Sequence, residues 1–225
     1  MLESRSALLL GATGLVGGLC LDRLLAEDRY SRVTTLSRRP LPRAENADPR
    51  LDARVVDFEL LAEQWDVAVT DVYCCLGSNM TAAESRKSFR RVDHDYTVEA
   101  ARLAHDSGAR RLALVSAVGA NPESRISLTR VKGETERDVA ALGYECVEIF
   151  RPAMLVGVRA QRRRGERVAK VVGPAVAKLM IGRLRRFRPI KAQDLAAAMI
   201  AALQAGRPGV HFSTYNQILA LANEE

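Results

Sequence analysis

The apolar positions of the chain begin with a run of four, Ala7-Leu8-Leu9-Leu10, unbroken by any polar residue. Such a run suits a strand in the middle of a parallel sheet, where both faces are covered. After Gly11 the spacing changes, and Leu15, Leu19, Leu21, Leu24 and Leu25 follow at helical intervals. The alternation continues down the chain. Arg32–Leu36, Ala53–Phe58, Asp71–Leu76, Arg110–Ser116 and Tyr144–Phe150 read as short strands, with Gly209–Ser213 as the last. Met80–Asp106, with Phe89, Val92, Tyr96, Val98 and Leu103 as inner positions, reads as a helix. Ser127–Leu142, an alanine-rich stretch ending at Ala205 and a short terminal segment read as further helices. Strands and helices alternating at this rhythm predict an α/β fold with a doubly wound parallel sheet in three layers.

Between the first strand and first helix lie Gly11, Gly14 and Gly17, spaced G-x-x-G-x-x-G. Gly11 lets the chain turn sharply off the strand. Gly14 removes a Cβ that would hold a pyrophosphate away from the backbone, and Gly17 lets the helix lie close to the sheet. Free N–H groups at the helix start, aided by the helix dipole, would then bind phosphates. A tight strand–helix turn without a ligand would use the same glycines, but the position at the first strand of a βα unit favours a dinucleotide in a Rossmann fold. The candidate contacts here are Gly11, Thr13, Gly14, Leu15, Val16 and Gly17.

The second strand ends in Ser37-Arg38-Arg39-Pro40. A ribose 2′-hydroxyl is ordinarily met by an Asp or Glu at this point, and a 2′-phosphate by arginine. With two guanidiniums and no acid, the expectation is NADP(H) in preference to NAD(H); a solvated basic turn is the plainer alternative. Asp57, beside Phe58, could meet an adenine amino group or cap a helix running from Leu60 to Trp65. At the end of the fourth strand, Leu76 and Gly77 offer another close approach to a ligand.

Composition narrows the picture in three ways. The chain has 225 residues, 48% of them hydrophobic, which is ample for a core and places it in one domain. No apolar run approaches the ~20 residues of a membrane span, and too little precedes the first strand for a signal peptide, so the expectation is a cytoplasmic protein. Cys20, Cys74, Cys75 and Cys146 form no C-x-x-C and no metal-ligand spacing with His94, His105 or His211. Buried free thiols and no metal are the reading.

Further motifs are Val115-Ser116-Ala117-Val118-Gly119-Ala120-Asn121, Val131-Lys132-Gly133-Glu134 and Phe150-Arg151-Pro152-Ala153-Met154-Leu155. Together with the glycine turn, Val55-Val56-Asp57-Phe58 and Cys74-Cys75-Leu76-Gly77, they make the chain resemble the atypical short-chain dehydrogenases/reductases. Within these it is similar to the small Tat-interacting-protein-like oxidoreductases and their bacterial relatives, from about Ala7 to Ala202. The resemblance implies that Ser116 hydrogen-bonds a substrate carbonyl and that Lys132 holds the nicotinamide ribose. It also implies that Pro152, Ala153 and Met154 lie against the nicotinamide carboxamide. The family's tyrosine, four residues before the lysine, is Leu128 here. Leucine cannot donate a proton, and a positioned acid is worth ~10²–10⁴-fold in rate. Two functions follow: a reductase of a small, unidentified carbonyl compound, or a catalytically weak NADPH-sensing regulator. Each matched residue also has a plainer role, Ser116 at a strand end and Lys132 in an i,i+4 pair with Glu136.

The net charge of +7 is unevenly spread. Arg151–Pro189 carries twelve basic residues against Glu166 alone, leaving the remainder slightly acidic. Within it Val158–Leu184 reads as an amphipathic basic helix interrupted at Gly173-Pro174. A solvated cap over the substrate side, a pocket wall for an anionic substrate and a docking surface are its three readings. The segment lacks a nucleic-acid motif and stacking aromatics, which weighs against nucleic acid as a partner. A homodimer is left open.

Overall fold

The computed structural model describes residues 4–41, 48–78, 86–157 and 180–223. Strands β1 (Arg5–Leu10), β2 (Tyr30–Ser37), β3 (Leu51–Val55), β4 (Asp71–Cys74), β5 (Arg111–Val115), β6 (Cys146–Phe150) and β9 (Gly209–Ser213) form a seven-stranded sheet. Its order is β3-β2-β1-β4-β5-β6-β9 and every pairing is parallel. A second, two-stranded parallel pair joins β7 (Leu155–Val156) to β8 (Ile190–Lys191). The helices are α1 (Leu15–Ala26), α2 (Arg86–Arg90), α3 (Tyr96–Asp106), α4 (Ser127–Ala140), α5 (Ala192–Ala205) and α6 (Tyr215–Ala222).

The two faces of the sheet sort by strand parity. Ala7, Leu9, Tyr73, Ala113 and Phe150 face a layer built from α1, α5 and α6, including Cys20, Leu24, Leu195, Met199 and Leu203. Leu8, Leu10, Val72, Cys74, Leu112, Leu114, Val147 and Ile149 face the opposite layer, with Ala100, Ala101 and Ala104 of α3 and Val139 of α4. Ala7 through Leu10 are wholly buried, as a strand covered on both faces must be. At ~1.5–3 kcal/mol for each large aliphatic side chain, these central strands are the main source of stability. Strand order reverses between β1 and β4, which opens a crevice outside their carboxyl ends, the usual ligand position in such sheets.

Two elements depart from the pattern expected of the sequence. The third strand runs over Leu51–Val55 rather than Ala53–Phe58. It stops early because Asp57 accepts from the Glu59 backbone N–H at 3.0 Å and starts a 3₁₀ turn, Phe58–Leu60. The long helix after β4, expected over Met80–Asp106, is described from Arg86 and contains a π turn, Arg91–Asp95, between α2 and α3. The wider turn rotates the helix face. Phe89 is buried as expected, but the inward positions beyond it are Asp93, His94, Thr97, Ala100, Ala101 and Ala104. Val92, Tyr96, Val98 and Leu103 are only half-buried. Of the basic helix expected over Val158–Leu184, residues 158–179 lie outside the described residues, and Gly182–Phe187 forms a 3₁₀ turn.

The loop after β5 is held down onto α4 at Gly133. A Cβ there would lie 2.3 Å from backbone atoms of Asn121 and Pro122. Gly133→Ala therefore has to push the loop off the helix, and we expect a loss of about 1–3 kcal/mol in urea denaturation; an unchanged midpoint would show that the loop yields freely.

Candidate functional site

The glycine turn closes on itself more tightly than any other residue would permit. Gly11 has φ +84°, and a Cβ on it would stand 2.5 Å from the Cys75 carbonyl oxygen. A Cβ on Gly17 would stand 2.1 Å from the Gly11 carbonyl oxygen, so α1 rests directly on the turn. Gly14 is the N-cap of α1, with its N–H donating to the Gly11 carbonyl at 2.9 Å and no side chain capping the helix. The first turn also carries no acid. Among the described residues the positive end of the helix thus has neither a first-turn carboxylate nor a capping hydroxyl, leaving a cradle fitted to an anion. Around it Thr13 is exposed, Leu15 half-buried and Val16 buried.

At one end of the crevice, Ser37 is half-buried and Arg38 and Arg39 are exposed. The Ser37 hydroxyl donates to the Arg39 carbonyl at 2.7 Å and so shapes the turn. The Val56 N–H donates to the Ser37 carbonyl at 3.0 Å, holding the β2 end beside Asp57 and Phe58. The Asp57 carboxylate caps the 3₁₀ turn Phe58–Leu60, a shorter element than the Leu60–Trp65 helix that its capping reading expects. The buried Phe58 ring lies 5.2 Å from that of Tyr96.

At the other end, a buried ion pair joins α4 to the π turn: Lys132 Nζ lies 2.9 Å from Asp93 Oδ1. Lys132 also donates to the Val115 carbonyl at 3.3 Å, one residue before Ser116. The second Asp93 oxygen accepts from both the N–H and the hydroxyl of Ser78 at 2.8 Å, fixing the loop of Leu76 and Gly77 after β4. The Asp93 carbonyl in turn accepts from the Thr135 hydroxyl at 3.0 Å. Lys132 therefore does not pair with Glu136. That carboxylate is taken by Arg151, through contacts of 2.9 and 2.5 Å, while the Arg151 guanidinium lies 4.4 Å over the Phe212 ring.

Ser116 is buried, and its Oγ has no hydrogen-bond partner among the described residues. A buried hydroxyl left unsatisfied costs free energy that a ligand can recover. Its backbone N–H donates to Phe150 at 2.7 Å, and Val118 donates to Pro152 at 2.9 Å. These two bonds lay Pro152, Ala153 and Met154 alongside the end of β5. Leu128 is half-buried on the first turn of α4 and brings no donor.

The nearby thiols are poor nucleophiles. Burial pushes Cys74 up to about 12. Cys75 is raised by its contact with the Cys20 sulfur, 4.0 Å away, and then by burial. The free cysteines are packing residues, with Cys75 just past the strand rather than in it.

The sequence singles out Ser116, Lys132 and the glycines as candidates but not Asp93. Its only signal is an acid directly after Val92 of the expected inner stripe of the long helix. The π turn that brings it inward leaves no mark in the apolar spacing.

A parallel sheet whose order reverses above a glycine cradle defines a dinucleotide-binding Rossmann protein. The model of a family described as NAD(P)H-binding matches residues 11–152. The rat Protein HTATIP2 is 35% identical over 175 residues, covering 75% of this chain and 70% of that protein. The Saccharomyces cerevisiae Protein FMP52, mitochondrial, is 29% identical over 228 residues, 96% of each chain. Among solved structures, MoeE5 in complex with UDP-glucose and NAD superposes with a TM-score of 0.65 at 15% identity, covering 97% of this chain and 81% of that one. The Bordetella bronchiseptica enzyme WbmH in complex with NAD+ gives 0.66 at 15%, covering 93% and 75%; both likenesses concern the fold. The chain belongs to the NAD(P)H-binding family, and HTATIP2 and FMP52 are among its relatives.

Removing the Asp93 carboxylate leaves Lys132 buried without its counter-ion. We expect Asp93→Ala to cost about 3–5 kcal/mol in chemical denaturation, with Asp93→Asn costing less because the amide oxygen still accepts from Ser78. Equal stability of Asp93→Ala and wild type would show that Lys132 finds water instead.

Proposed function

We propose that the chain is an NADP(H)-dependent reductase of a small carbonyl compound, working slowly because its active site lacks the family's phenol. The observation that carries this reading is the unpaired, buried Ser116 hydroxyl beside a lysine held by Asp93, at the carboxyl end of the sheet that carries the glycine cradle. The residues that would hold the cofactor are Gly11, Thr13, Gly14, Leu15, Val16 and Gly17 for the diphosphate, and Arg38 and Arg39, with Ser37, for a 2′-phosphate. Asp57 and Phe58 would flank the adenine. Leu76, Gly77, Lys132, Pro152, Ala153 and Met154 would flank the nicotinamide riboside. When bound, NADPH supplies a hydride to the carbonyl carbon.

The chain's own residues supply the rest. Ser116 Oγ donates its hydrogen bond to the carbonyl oxygen and stabilises the negative charge that develops there. Lys132 keeps a positive charge next to the reacting centre, and Asp93 fixes its position. Nothing on α4 delivers a proton at the place Leu128 fills, so the final proton comes from water. The missing acid lowers the rate by about 10²–10⁴-fold against a site that has one.

A second reading rests on that same Leu128. A chain that binds NADPH and turns over nothing serves as a sensor of the reduced cofactor, signalling through its basic surface. Turnover of a carbonyl panel with NADPH separates the two. Slow wild-type turnover that rises about 10²-fold or more in Leu128→Tyr supports the reductase. Turnover in the mutant alone supports the sensor, and none in either contradicts the reductase.

Cofactor choice is tested by fluorescence titration of NADPH and NADH. Arg38→Ala should weaken NADPH by about tenfold and NADH little, as expected for loss of a guanidinium–phosphate contact. Equal affinity of wild type for both cofactors would refute the preference.

A further inference from the structure

The π turn Arg91–Asp95 reaches both ends of the crevice. Its Asp93 anchors Lys132, as described above. Its first residue, Arg91, and the residue that closes it, Tyr96, point to the other end. The Tyr96 N–H donates to the Arg91 carbonyl, closing the i to i+5 ring. In an α-helix these two residues would lie well apart around the axis; the wider π turn brings them nearer to one face. Both meet the same atom. Arg91 lies 2.8 Å from Glu59 Oε1, and the Tyr96 hydroxyl donates to that oxygen.

Glu59 belongs to the 3₁₀ turn capped by Asp57, which is tied to the end of β2 where Arg38 and Arg39 follow. Arg38 is close enough that its charge, like that of Arg91, draws the Tyr96 phenol down against the rise caused by burial and Glu59. One guanidinium and one phenol therefore meet on a single oxygen of this carboxylate. The pair is open to solvent, with 44% of the Arg91 side chain and 50% of the Glu59 side chain exposed. Exposed ion pairs are worth only about 0–1 kcal/mol, so a more highly charged anion displaces the carboxylate at little cost. A phosphate monoester, with up to two charges and three acceptor oxygens, suits that place; arginine binds it through two parallel N–H donors.

We propose that Arg91 is a further guanidinium of the 2′-phosphate site, held by Glu59 until the phosphate replaces that carboxylate. This rests on the NADP(H) reading and adds to it a specificity residue on the long helix rather than at the β2 end. Glu59 then acts as an internal competitor that weakens NADPH without affecting NADH.

The test is titration of NADPH and NADH into the intact chain, followed by cofactor fluorescence, for wild type, Arg91→Ala, Arg91→Lys and Glu59→Gln. Arg91→Ala should lose about tenfold for NADPH with NADH unchanged within about twofold, and Arg91→Lys should recover part of the loss. Glu59→Gln should bind NADPH about threefold more tightly. A wild type that prefers NADPH while Arg91→Ala binds it undiminished overturns the role of Arg91 and leaves the cofactor reading standing. A wild type without preference overturns both. Equal weakening of the two cofactors in Arg91→Ala makes Arg91 merely structural, and a Glu59→Gln variant that loses NADH instead makes Glu59 a partner of the ribose hydroxyl. Either result contradicts the proposal.

Discussion

Helix α1 lies so close to the turn preceding it that nothing larger than hydrogen fits between Gly17 and the Gly11 carbonyl, where an added Cβ would be 2.1 Å away. That approach decides where the helix axis points, and so where its uncapped amino end meets the carboxyl ends of β1 and β4. Gly11 is pressed equally hard against Cys75 at the start of the next crossover. The cradle is therefore the junction of three backbone segments in mutual contact. A site made from main chain is rigid without a conformational penalty on binding, which is the physical basis of preorganised anion recognition.

Charge is organised around that junction in buried pairs. Asp93 with Lys132, and Glu136 with the partly exposed Arg151, tie the long helix and the residue after β6 to α4. A buried pair of this kind adds little net stability over an apolar contact, yet losing one partner is expensive. Its value lies in position: it holds a cation on the Val115 carbonyl, one residue before a hydroxyl that has no partner among the described residues. The same logic applies away from the site, where Tyr30 and Arg111 donate to the wholly buried Asp71 and Tyr73 bonds the Tyr30 hydroxyl.

Much of the fold could be read from the residues because a central parallel strand must be apolar on both faces. Ala7–Leu10 and Leu112–Val115 announce themselves in this way, and glycine spacing marks the turn between strand and helix. The departures have local causes. β3 is half-buried at the sheet edge, so its residues Leu51-Asp52-Ala53-Arg54-Val55 carry a weak apolar pattern and its start was displaced. The π turn inserts a wider ring into a helix whose face had been read at 3.6 residues per turn. That is why the apolar spacing hides the buried Asp93 and puts the half-buried Tyr96 inward. Lys132 and Leu128 stand out only through the family resemblance, whose tyrosine and lysine lie four residues apart on one helix. The partner of Lys132 does not, since the choice between Glu136 and Asp93 depends on a tertiary contact 39 positions away in the chain.

The central claim is that the uncapped start of α1 grips a diphosphate. Calorimetric titration of NADPH into wild type and Gly14→Asp tests it directly. Aspartate is a favourable N-cap, so the variant keeps its helix, but it places a negative charge where the diphosphate would lie. The account predicts one-to-one binding heat in wild type and none in a variant that melts at the same temperature. Equal heats from the two proteins, or none from wild type, would contradict it.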